Sequence, residues 1–370
     1  MSKFQTTRRG FIKNSSIGAS ILAAPAIIRS RSAFSQNNVV NVWTYANFIP
    51  DAFREQFQDE TGIEIRIRLV EDQGQQFNLL AAEAPEPSVD LMTIAGHRFR
   101  QFIDSDLLVP IDEDRLQNWS TVNPIYRDSD WIVINGEKWG VPILTGAEVL
   151  AWNTEIVDES ETRSWDVMFD PKYRGQTAYI IQDMMSVAML YLGYDGNMIE
   201  YMGDRERAQE IVNETRDFLI EHKDMVRNFY SAGAEVQQMF VNQDIVLAHA
   251  WSGPISRLIM DGFPVDMTIP QEGTYGFVYN FNVTNNAPNE ENAYRLLDAI
   301  LASPEVGAAM TRASGFISTF RGVEQHLTEL EQQASSFTEE ELSGLRFFRA
   351  DANEMKYELV DPAVEEIQAG

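Results

Sequence analysis

The amino-acid sequence predicts an α/β protein of two lobes that several chain crossings connect. Strand and helix patterns alternate three times in the first third of the mature chain, which favours a parallel sheet with helices on both faces. The 370-residue length fits about two domains, at roughly 100–200 residues each. Neither an internal repeat nor a low-complexity linker separates two independent halves, so we expect lobes that share crossings of the chain.

The charge and composition of the chain exclude several classes of function. Its 29 basic and 56 acidic residues give a net charge of −27. A field of that sign repels phosphate backbones, so no nucleic-acid partner is expected, although an acidic surface can also serve solubility alone. The chain has no cysteine, which excludes disulfides, thiolate nucleophiles and iron–sulfur clusters. Its four histidines lack the HxxxH spacing of a zinc site, so we expect neither a metal nor a cofactor.

The first segment is predicted to be an export signal that does not belong to the fold. Arg8 and Arg9 precede an apolar pair and a lysine, a pattern that resembles the twin-arginine signal. The moderately apolar run 17–28 that follows is too short and too weak to span a bilayer. Small residues predict cleavage near Ser35, so residues 1–35 are interpreted as a twin-arginine signal peptide that directs the chain to the periplasm.

The first third of the mature chain is predicted to contain three strands and three helices. Pro50 suits a first helical turn, and Gly62 can take the left-handed conformation that ends a helix. Apolar and charged residues alternate over 63–69, which is typical of a half-exposed strand. The predicted elements are strands 39–44, 63–69 and 89–94 and helices 50–60, 72–84 and 97–105.

The remaining elements continue the mixture of strands and helices. Two separate strands are predicted on either side of Thr145-Gly146, because that dipeptide interrupts the apolar run. Charged and apolar residues over 205–222 predict a strongly amphipathic helix. The other predicted elements are strands 177–181, 245–251, 265–269 and 276–283, helices 184–192, 236–242, 255–261, 290–302 and 304–313, and a largely helical tail over 338–370.

Several segments, taken in order, resemble the periplasmic solute-binding proteins of polyamine-type (spermidine/putrescine) ABC importers. The resemblance extends over about residues 39–323 and depends on the shared order and spacing of the segments. The segments are Val42-Trp43-Thr44-Tyr45-Ala46-Asn47-Phe48-Ile49-Pro50, Thr61-Gly62-Ile63, Val89-Asp90-Leu91, Gly140-Val141-Pro142, Ser164-Trp165-Asp166, Tyr173-Arg174-Gly175, Leu192-Gly193-Tyr194, Trp251-Ser252-Gly253, Pro270-Gln271-Glu272-Gly273 and Gly315-Phe316.

The resemblance implies the two-lobed, type II periplasmic binding protein fold, in which strand crossovers join two mixed sheets. Residues 38–145 with 278–318 would form lobe 1, and residues 146–277 with 319–370 would form lobe 2. The implied function is capture of a small-molecule solute between the lobes, for ABC permease and ATPase subunits in the inner membrane. The protein is then expected to be a monomer and not an enzyme.

The resemblance also implies which residues hold the solute. Polyamine-binding members stack aromatic rings along the ligand and meet its charges with carboxylates. Aromatic positions of the family match five residues of this chain, and an acidic position matches Asp183. Glu148, beside the predicted crossover, could supply a further acid. The candidate ligand-binding residues are Tyr45, Phe48, His97, Glu148, Asp183, Trp251, Phe277, Tyr279 and Phe316, with no catalytic or metal-ligating residue among them.

Two departures from the family pattern change the expected solute. Ile180 and Tyr279 stand where polyamine-binding members commonly place acids. A buried diammonium ligand facing one carboxylate would keep an uncompensated charge, which costs several kcal/mol. The sequence therefore favours a single-ammonium or quaternary compound in an aromatic cage over putrescine or spermidine. Glu235 is a further candidate for a substitute acid.

Other interpretations of the same residues stay open in the sequence. Tyr45 and Phe48 could be ordinary core aromatics, Asp183 could only cap a helix, and His97 could only begin one. The solute could also be a neutral or zwitterionic metabolite. The absence of basic residues clustered near the cleft motifs argues against an anion, with Arg98 and Arg257 as the exceptions to check. An exported hydrolase, or a receptor that reports ligand occupancy to a sensor, is a further alternative.

Overall fold

Strands that pair with partners distant in the chain form the main sheet of the fold. The computed structural model describes residues 38–70, 73–129 and 132–369; the predicted signal peptide lies outside them. The strands are β1 (Val39–Thr44), β2 (Glu64–Leu69), β3 (Leu91–Ala95), β4 (Val133–Ile134), β5 (Glu137–Lys138), β6 (Val141–Asn153), β7 (Thr177–Tyr179), β8 (Val226–Phe229), β9 (Leu247–Trp251), β10 (Val265–Thr268), β11 (Thr274–Val283), β12 (Ile317–Ser318) and β13 (Leu345–Phe347).

Helices cover the sheet and form most of the C-terminal tail. They are α1 (Asp51–Thr61), α2 (Gln73–Glu83), α3 (Phe99–Asp104), α4 (Pro124–Arg127), α5 (Ile181–Tyr191), α6 (Arg205–Glu221), α7 (Gly233–Val241), α8 (Ser252–Met260), α9 (Glu290–Ile300), α10 (Pro304–Ser314), α11 (Glu329–Ala334), α12 (Glu339–Ser343) and α13 (Asn353–Ala369). Among the helices of the described ranges, none combines the length and the apolar content that a bilayer crossing requires.

Local sequence signals explain where the first elements begin and end. Pro50 precedes α1 in extended conformation, and Gly62 ends that helix with a φ of 70°, a conformation that glycine adopts without the steric penalty of a side chain. In the following strand β2, only Ile65 is buried, in keeping with a half-exposed strand. The three strand–helix alternations of the first third are confirmed, with a short 3₁₀ turn over Gly96–Arg98 placed between β3 and α3.

The sheet is mixed. Its strand order is β2-β1-β3-β11-β6-β9-β7-β8, while β10 and β12 also pair with β6, and β13 pairs with β11. Strand β1 runs parallel to β2 and β3, as the alternation of strands and helices predicts. Strand β11, however, runs antiparallel to both β3 and β6. Parallel pairing returns between β7 and its neighbours β8 and β9.

Two long strands connect the lobes. Strand β6 has 13 residues and β11 has 10, and every residue of both is buried. The prediction of two separate strands around Thr145-Gly146 is therefore wrong, because the chain passes through this dipeptide as one strand. A Cβ atom on Gly146 would lie 2.7 Å from a ring carbon of Phe316. Glycine is required here by a close ring, and it does not mark a turn.

Apolar packing distinguishes the two lobes. One cluster of buried side chains combines β1, β3, α9 and the first half of β6. Two further clusters lie against the second half of β6 and β9, one with α5, α6 and α13 and the other with α7 and α8. The two-lobed α/β architecture is thus present, with β6 contributing to the cores on both sides and β11 to the core of the first lobe. The residue boundaries predicted for each lobe stay a prediction.

Candidate functional site

A cavity of about 270 Å³ lies where the two lobes meet. Seven of the nine predicted site residues line it: Tyr45, His97, Glu148, Asp183, Trp251, Phe277 and Tyr279. Phe48 and Phe316 do not line it and pack behind the rings that do. Most of the residues predicted from the sequence as one site therefore lie at one cavity of the fold. Their contact with a solute stays a prediction.

The cavity lies at the carboxyl ends of several strands. Tyr45 directly follows β1, and His97 and Arg98 follow β3. Asp183 lies in the first turn of α5, just after β7, and Trp251 is the last residue of β9. In α/β proteins, loops at the carboxyl ends of parallel strands meet at one edge of the sheet and form ligand sites there. The position of the cavity follows from this general rule.

Tyr45, Phe277 and Tyr279 form one wall of the cavity, which we call the ring wall. Phe277 and Tyr279 are two residues apart on β11, so both point to the same face of the sheet. The ring centroid of Tyr279 lies 5.2 Å from that of Tyr45 and 5.1 Å from that of Phe277. These spacings are typical of aromatic pairs that attract each other.

A second layer of rings supports the ring wall. The Phe48 ring lies 5.1 Å from Tyr279 and 5.8 Å from Phe316, and Phe316 lies 5.5 Å from Tyr279. Phe48 is 2% exposed and Phe316 is 6% exposed. For Phe48 the structure thus favours the role of a core aromatic, whereas Tyr45 reaches the cavity.

Glu148, Asp183 and Trp251 form the opposite wall, which we call the acid wall. The indole Nε1 of Trp251 donates to Oδ2 of Asp183 at 3.1 Å. Burial raises the pKa of Asp183, while the Lys356 ammonium, the indole and the Arg98 guanidinium oppose that rise. The residue at the N-cap position of α5 is Ile180, so Asp183 does not cap this helix. Its carboxylate is oriented by the indole instead.

Glu148 forms a buried contact with a histidine. Its Oε2 lies 2.9 Å from Nε2 of His249, and both side chains are at most 1% exposed. The contact lacks the angles of a hydrogen bond. Burial raises the pKa of Glu148 well above its usual range and lowers the pKa of His249 to about 3. Both shifts favour the neutral forms of the two side chains.

Two basic groups lie at or beside the cavity: Arg98, which is named from the sequence as an exception to check, and Lys356, which is not. Arg98 lines it, with its guanidinium 4.2 Å over the ring of Tyr357. Lys356 is buried beside it, with its ammonium 4.7 Å from the ring centroid of Phe348. Burial lowers the pKa of Lys356 to about 8, although the nearby Asp183 carboxylate opposes that fall. Arg257 does not line the cavity; it donates to the Arg312 carbonyl and to Asp261.

The C-terminal segment supplies part of the cavity that sequence reasoning missed. Phe348 and Tyr357 both line it, and the Asn353 side chain donates to the backbone carbonyl of His97. The His97 ring lies 5.2 Å from that of Phe348. Burial, followed by the charges of Arg98 and Lys356, lowers the pKa of His97 well below its usual value. His97 is therefore neutral at physiological pH.

The remaining candidate acid has a structural role. The carboxylate of Glu235 accepts from the backbone N–H groups of Ser231 and Ala232 at the start of α7. Ser231 lines the cavity, as does Ile180 at the position where the resemblance leads one to expect an acid. In the described part of the chain, no group of three or more His, Asp or Glu side chains is arranged to hold a metal ion.

Comparison with known proteins identifies the family. Residues 52–336 match the family described as bacterial extracellular solute-binding protein. Since this match spans most of the chain, the protein belongs to that family. Such proteins bind solutes and are not enzymes, and the fold, the cavity between lobes and the family agree on this class.

The individual relatives have low sequence identity to this chain but match most of its length. The spermidine/putrescine-binding periplasmic protein of Escherichia coli is 23% identical over 304 residues, which cover 80% of this chain and 82% of the relative. Its counterpart from Haemophilus influenzae is 20% identical over 292 residues, with 78% and 77% covered. The solved spermidine/putrescine substrate-binding protein of Streptococcus pneumoniae superposes with a TM-score of 0.73 at 17% identity, covering 90% of this chain and 99% of that one. The structural likeness confirms the two-lobed fold.

Proposed function

We propose that this protein captures a small organic compound with a positively charged nitrogen and delivers it to the permease and ATPase subunits of an ABC importer. The observation that carries the proposal is one cavity lined by Tyr45, Tyr279 and Trp251 together with the Asp183 carboxylate. A ring face attracts a cation within about 6 Å of its centroid, by roughly 0.5–2 kcal/mol. These rings form an aromatic cage, and Asp183 supplies the counter-charge.

The charges of the acid wall favour one ammonium group over two. Glu148 is buried against His249, whereas Asp183 accepts from the Trp251 indole, so we take Asp183 as the carboxylate that meets the cation. A diamine would place a second ammonium group in a largely buried space without a partner of opposite charge, which costs several kcal/mol. Relatives are named for spermidine, putrescine or agmatine. Among such amines, this cavity suits a single-ammonium or quaternary compound better than a polyamine.

Calorimetric titration of the mature protein with putrescine, spermidine, choline and glycine betaine tests the proposal. We expect at least one of these compounds to bind, and Tyr45→Ala to weaken that binding about two- to thirtyfold, since it removes one face of the cage. Phe263→Ala, which changes an exposed ring outside the cavity, is the matched control and should leave affinity unchanged. Failure of all four compounds to bind, or equal losses in both variants, would contradict the proposal.

We propose further that residues 1–35 direct the folded chain through the twin-arginine machinery to the periplasm, where it acts as a monomer. The paired Arg8-Arg9 supports this route, and the relatives named above are periplasmic. Replacing both arginines by lysine should retain the protein in the cytoplasm in a fractionation experiment, and the mature protein should elute at the mass of one chain. Unchanged export would reject the twin-arginine route, and a dimer mass would reject the monomer.

A further inference from the structure

The cavity holds charges of both signs. Asp183 and Arg98 both line it, and the buried ammonium of Lys356 lies 4.7 Å from the ring centroid of Phe348, which also lines it. A site built for a dication needs an excess of carboxylate over cationic side chains. Arg98 and Lys356 supply two cationic groups, whereas Asp183 supplies one carboxylate and Glu148 a second only where it gives up its proton. The fixed cations are therefore at least as many as the ionised acids, so the cavity favours a solute that brings a negative charge of its own as well as an ammonium group.

We propose that the solute carries a carboxylate as well as an ammonium group, and that Arg98 binds the carboxylate while Asp183 and the surrounding rings bind the ammonium. This inference rests on the proposed function, because it adds a second charged group to the solute that the aromatic cage captures. It assigns Arg98, which no aromatic or acidic motif singles out, to the choice among amines.

Arg98 is placed to receive an anion. Within the described residues, no carboxylate forms a salt bridge with it, and its guanidinium rests on the face of Tyr357 at 4.2 Å. Its near neighbour Arg100, in contrast, is paired with Asp104 at 3.7 Å. A guanidinium offers five N–H donors in a planar fork that matches the two oxygens of a carboxylate. Arg98 lines the cavity without a described carboxylate paired to it, so its donors can bind a carboxylate of the solute.

The same guanidinium disfavours a second ammonium group. A diamine that placed one nitrogen against Asp183 would have its other nitrogen in the same small cavity as Arg98, with Lys356 close by. Like charges repel strongly where water is largely excluded. A carboxylate at that end of the solute would convert the repulsion into attraction. The charge of Arg98, rather than contact with the rings, would then make the protein bind amino acids more tightly than diamines.

The size of the cavity restricts the distance between the two charged groups. Its volume of about 270 Å³ lies just below the usual range for small-molecule sites, roughly 300–1,000 Å³. A solute with a short methylene chain between its two charged ends fits such a space, and its methylenes can contact Phe277 and Trp251. Short ω-amino acids and their N-methylated forms have this chemistry.

Titration calorimetry with probes matched in chain length tests the proposal. For each chain of three to six carbons, the mature protein is titrated with the ω-amino acid, the α,ω-diamine and the primary monoamine. We expect the ω-amino acid of one length to bind most tightly. Arg98→Gln should weaken its binding about tenfold or more, since a charge-assisted hydrogen bond is lost. The monoamine should change less than the amino acid does. Arg98→Lys should lie between, because it keeps the charge and loses the planar fork.

Arg100→Gln is the matched control, because it removes a neighbouring guanidinium that does not line the cavity, and it should leave all affinities unchanged. If diamines bind at least as tightly as the amino acids, or if Arg98→Gln weakens monoamines and amino acids equally, the inference is wrong while the proposed function stands. If no amine of either set binds, and choline and spermidine also fail, the proposed function itself is wrong. Circular dichroism of each variant confirms that loss of binding is not loss of folding.

Discussion

The ring wall and the acid wall of the cavity differ in how burial affects their side chains. The ring wall continues into a second layer of buried aromatic side chains, so its residues contribute to the core of the first lobe. The acid wall places Asp183 and Glu148 in surroundings that raise the pKa of both. Burial of aromatic rings stabilises the folded protein, whereas burial of carboxylates destabilises it. We infer that the ring wall stabilises the fold and that the acid wall supplies binding.

Neither wall is sufficient to hold a charged solute. The ring wall offers dispersion and cation–π attraction but no counter-charge, and the acid wall offers a carboxylate oriented by Trp251. Since the walls come from different lobes, a solute that contacts both would favour the conformation in which the lobes are close. The predictions below separate the two walls, from the largest expected effect to the smallest.

Phe316→Ala should cause the largest change, and that change should be in stability. The substitution leaves a cavity among Phe48, Phe277 and Tyr279, whose rings surround Phe316. Large-to-small changes of a buried phenylalanine cost about 3–5 kcal/mol. Urea unfolding measures this change in the free energy of unfolding. Phe263→Ala, at an exposed ring, serves as the control, and an equal cost in both variants would mean that the second layer of rings is not part of the core.

Asp183→Asn should act on binding and leave stability nearly unchanged. Asparagine keeps the size of the side chain and can still accept from the Trp251 indole, but it has no charge to offer an ammonium group. A hydrogen bond to a charged group contributes about 1.5–3 kcal/mol, so calorimetry should show a loss of about ten- to 150-fold. Asp217→Asn, in an exposed pair on α6, should leave affinity unchanged. Unchanged affinity in Asp183→Asn would mean that the charge of Asp183 does not contribute to binding.

Glu148→Gln should change how stability depends on pH. Burial raises the pKa of Glu148 well above that of an unfolded glutamate, near 4.5. Between these two pKa values the folded chain keeps a proton that the unfolded chain has lost, so wild-type stability falls as pH rises. The amide introduced by the substitution does not titrate, but the contact with His249 would keep its shape.

The melting temperature of Glu148→Gln, relative to wild type, should therefore rise between pH 5 and pH 8. Differential scanning calorimetry across this range measures the gap between the two proteins. Glu137→Gln, at an exposed glutamate of β5, is the control for loss of a surface carboxylate. A gap between Glu148→Gln and wild type that stays constant with pH would mean that Glu148 is ionised in the folded protein, and the acid wall would then hold two charges.

Arg257→Gln should have the smallest effect. Although Arg257 belongs to the helix that follows Trp251, its guanidinium donates to the Arg312 carbonyl and to Asp261, outside the cavity. Calorimetry should show affinities for amines and amino acids within about twofold of wild type, because no ligand-facing charge is altered. A loss of affinity comparable to that expected for Arg98→Gln would indicate that Arg257, and not Arg98, binds the carboxylate of the solute.

The resemblance to the solute-binding family predicted all three residues of the ring wall and all three of the acid wall as candidates, and strand patterns explain why some of them meet. Tyr45 and Trp251 follow strand patterns directly, and residues at the carboxyl ends of strands in an α/β fold meet at one edge. The orientation of the Asp183 side chain could not be predicted from the sequence. Its hydrogen bond to Trp251 joins residues far apart in the chain, and only the pairing of β7 with β9 brings them together.

The parts that sequence reasoning missed depend on tertiary contacts. Gly146 interrupts an apolar run, yet β6 continues through it, because the Phe316 ring from a distant segment occupies the space of a Cβ atom. Lys356 and Tyr357 lie on an acidic helix without any motif, and they reach the cavity only because α13 packs on α5 and α6. Charge pairing across lobes cannot be read from spacing along the chain. That limit explains why Lys356 was not expected beside the cavity.

A crystal structure of the mature protein with its tightest-binding amine tests the central claim most directly. The account predicts one molecule of ligand between the lobes, with its nitrogen within hydrogen-bond distance of Asp183 and within about 6 Å of the ring centroids of Tyr45, Tyr279 or Trp251. A ligand found outside this cavity, or one inside it with its nitrogen turned away from both walls, would contradict the account.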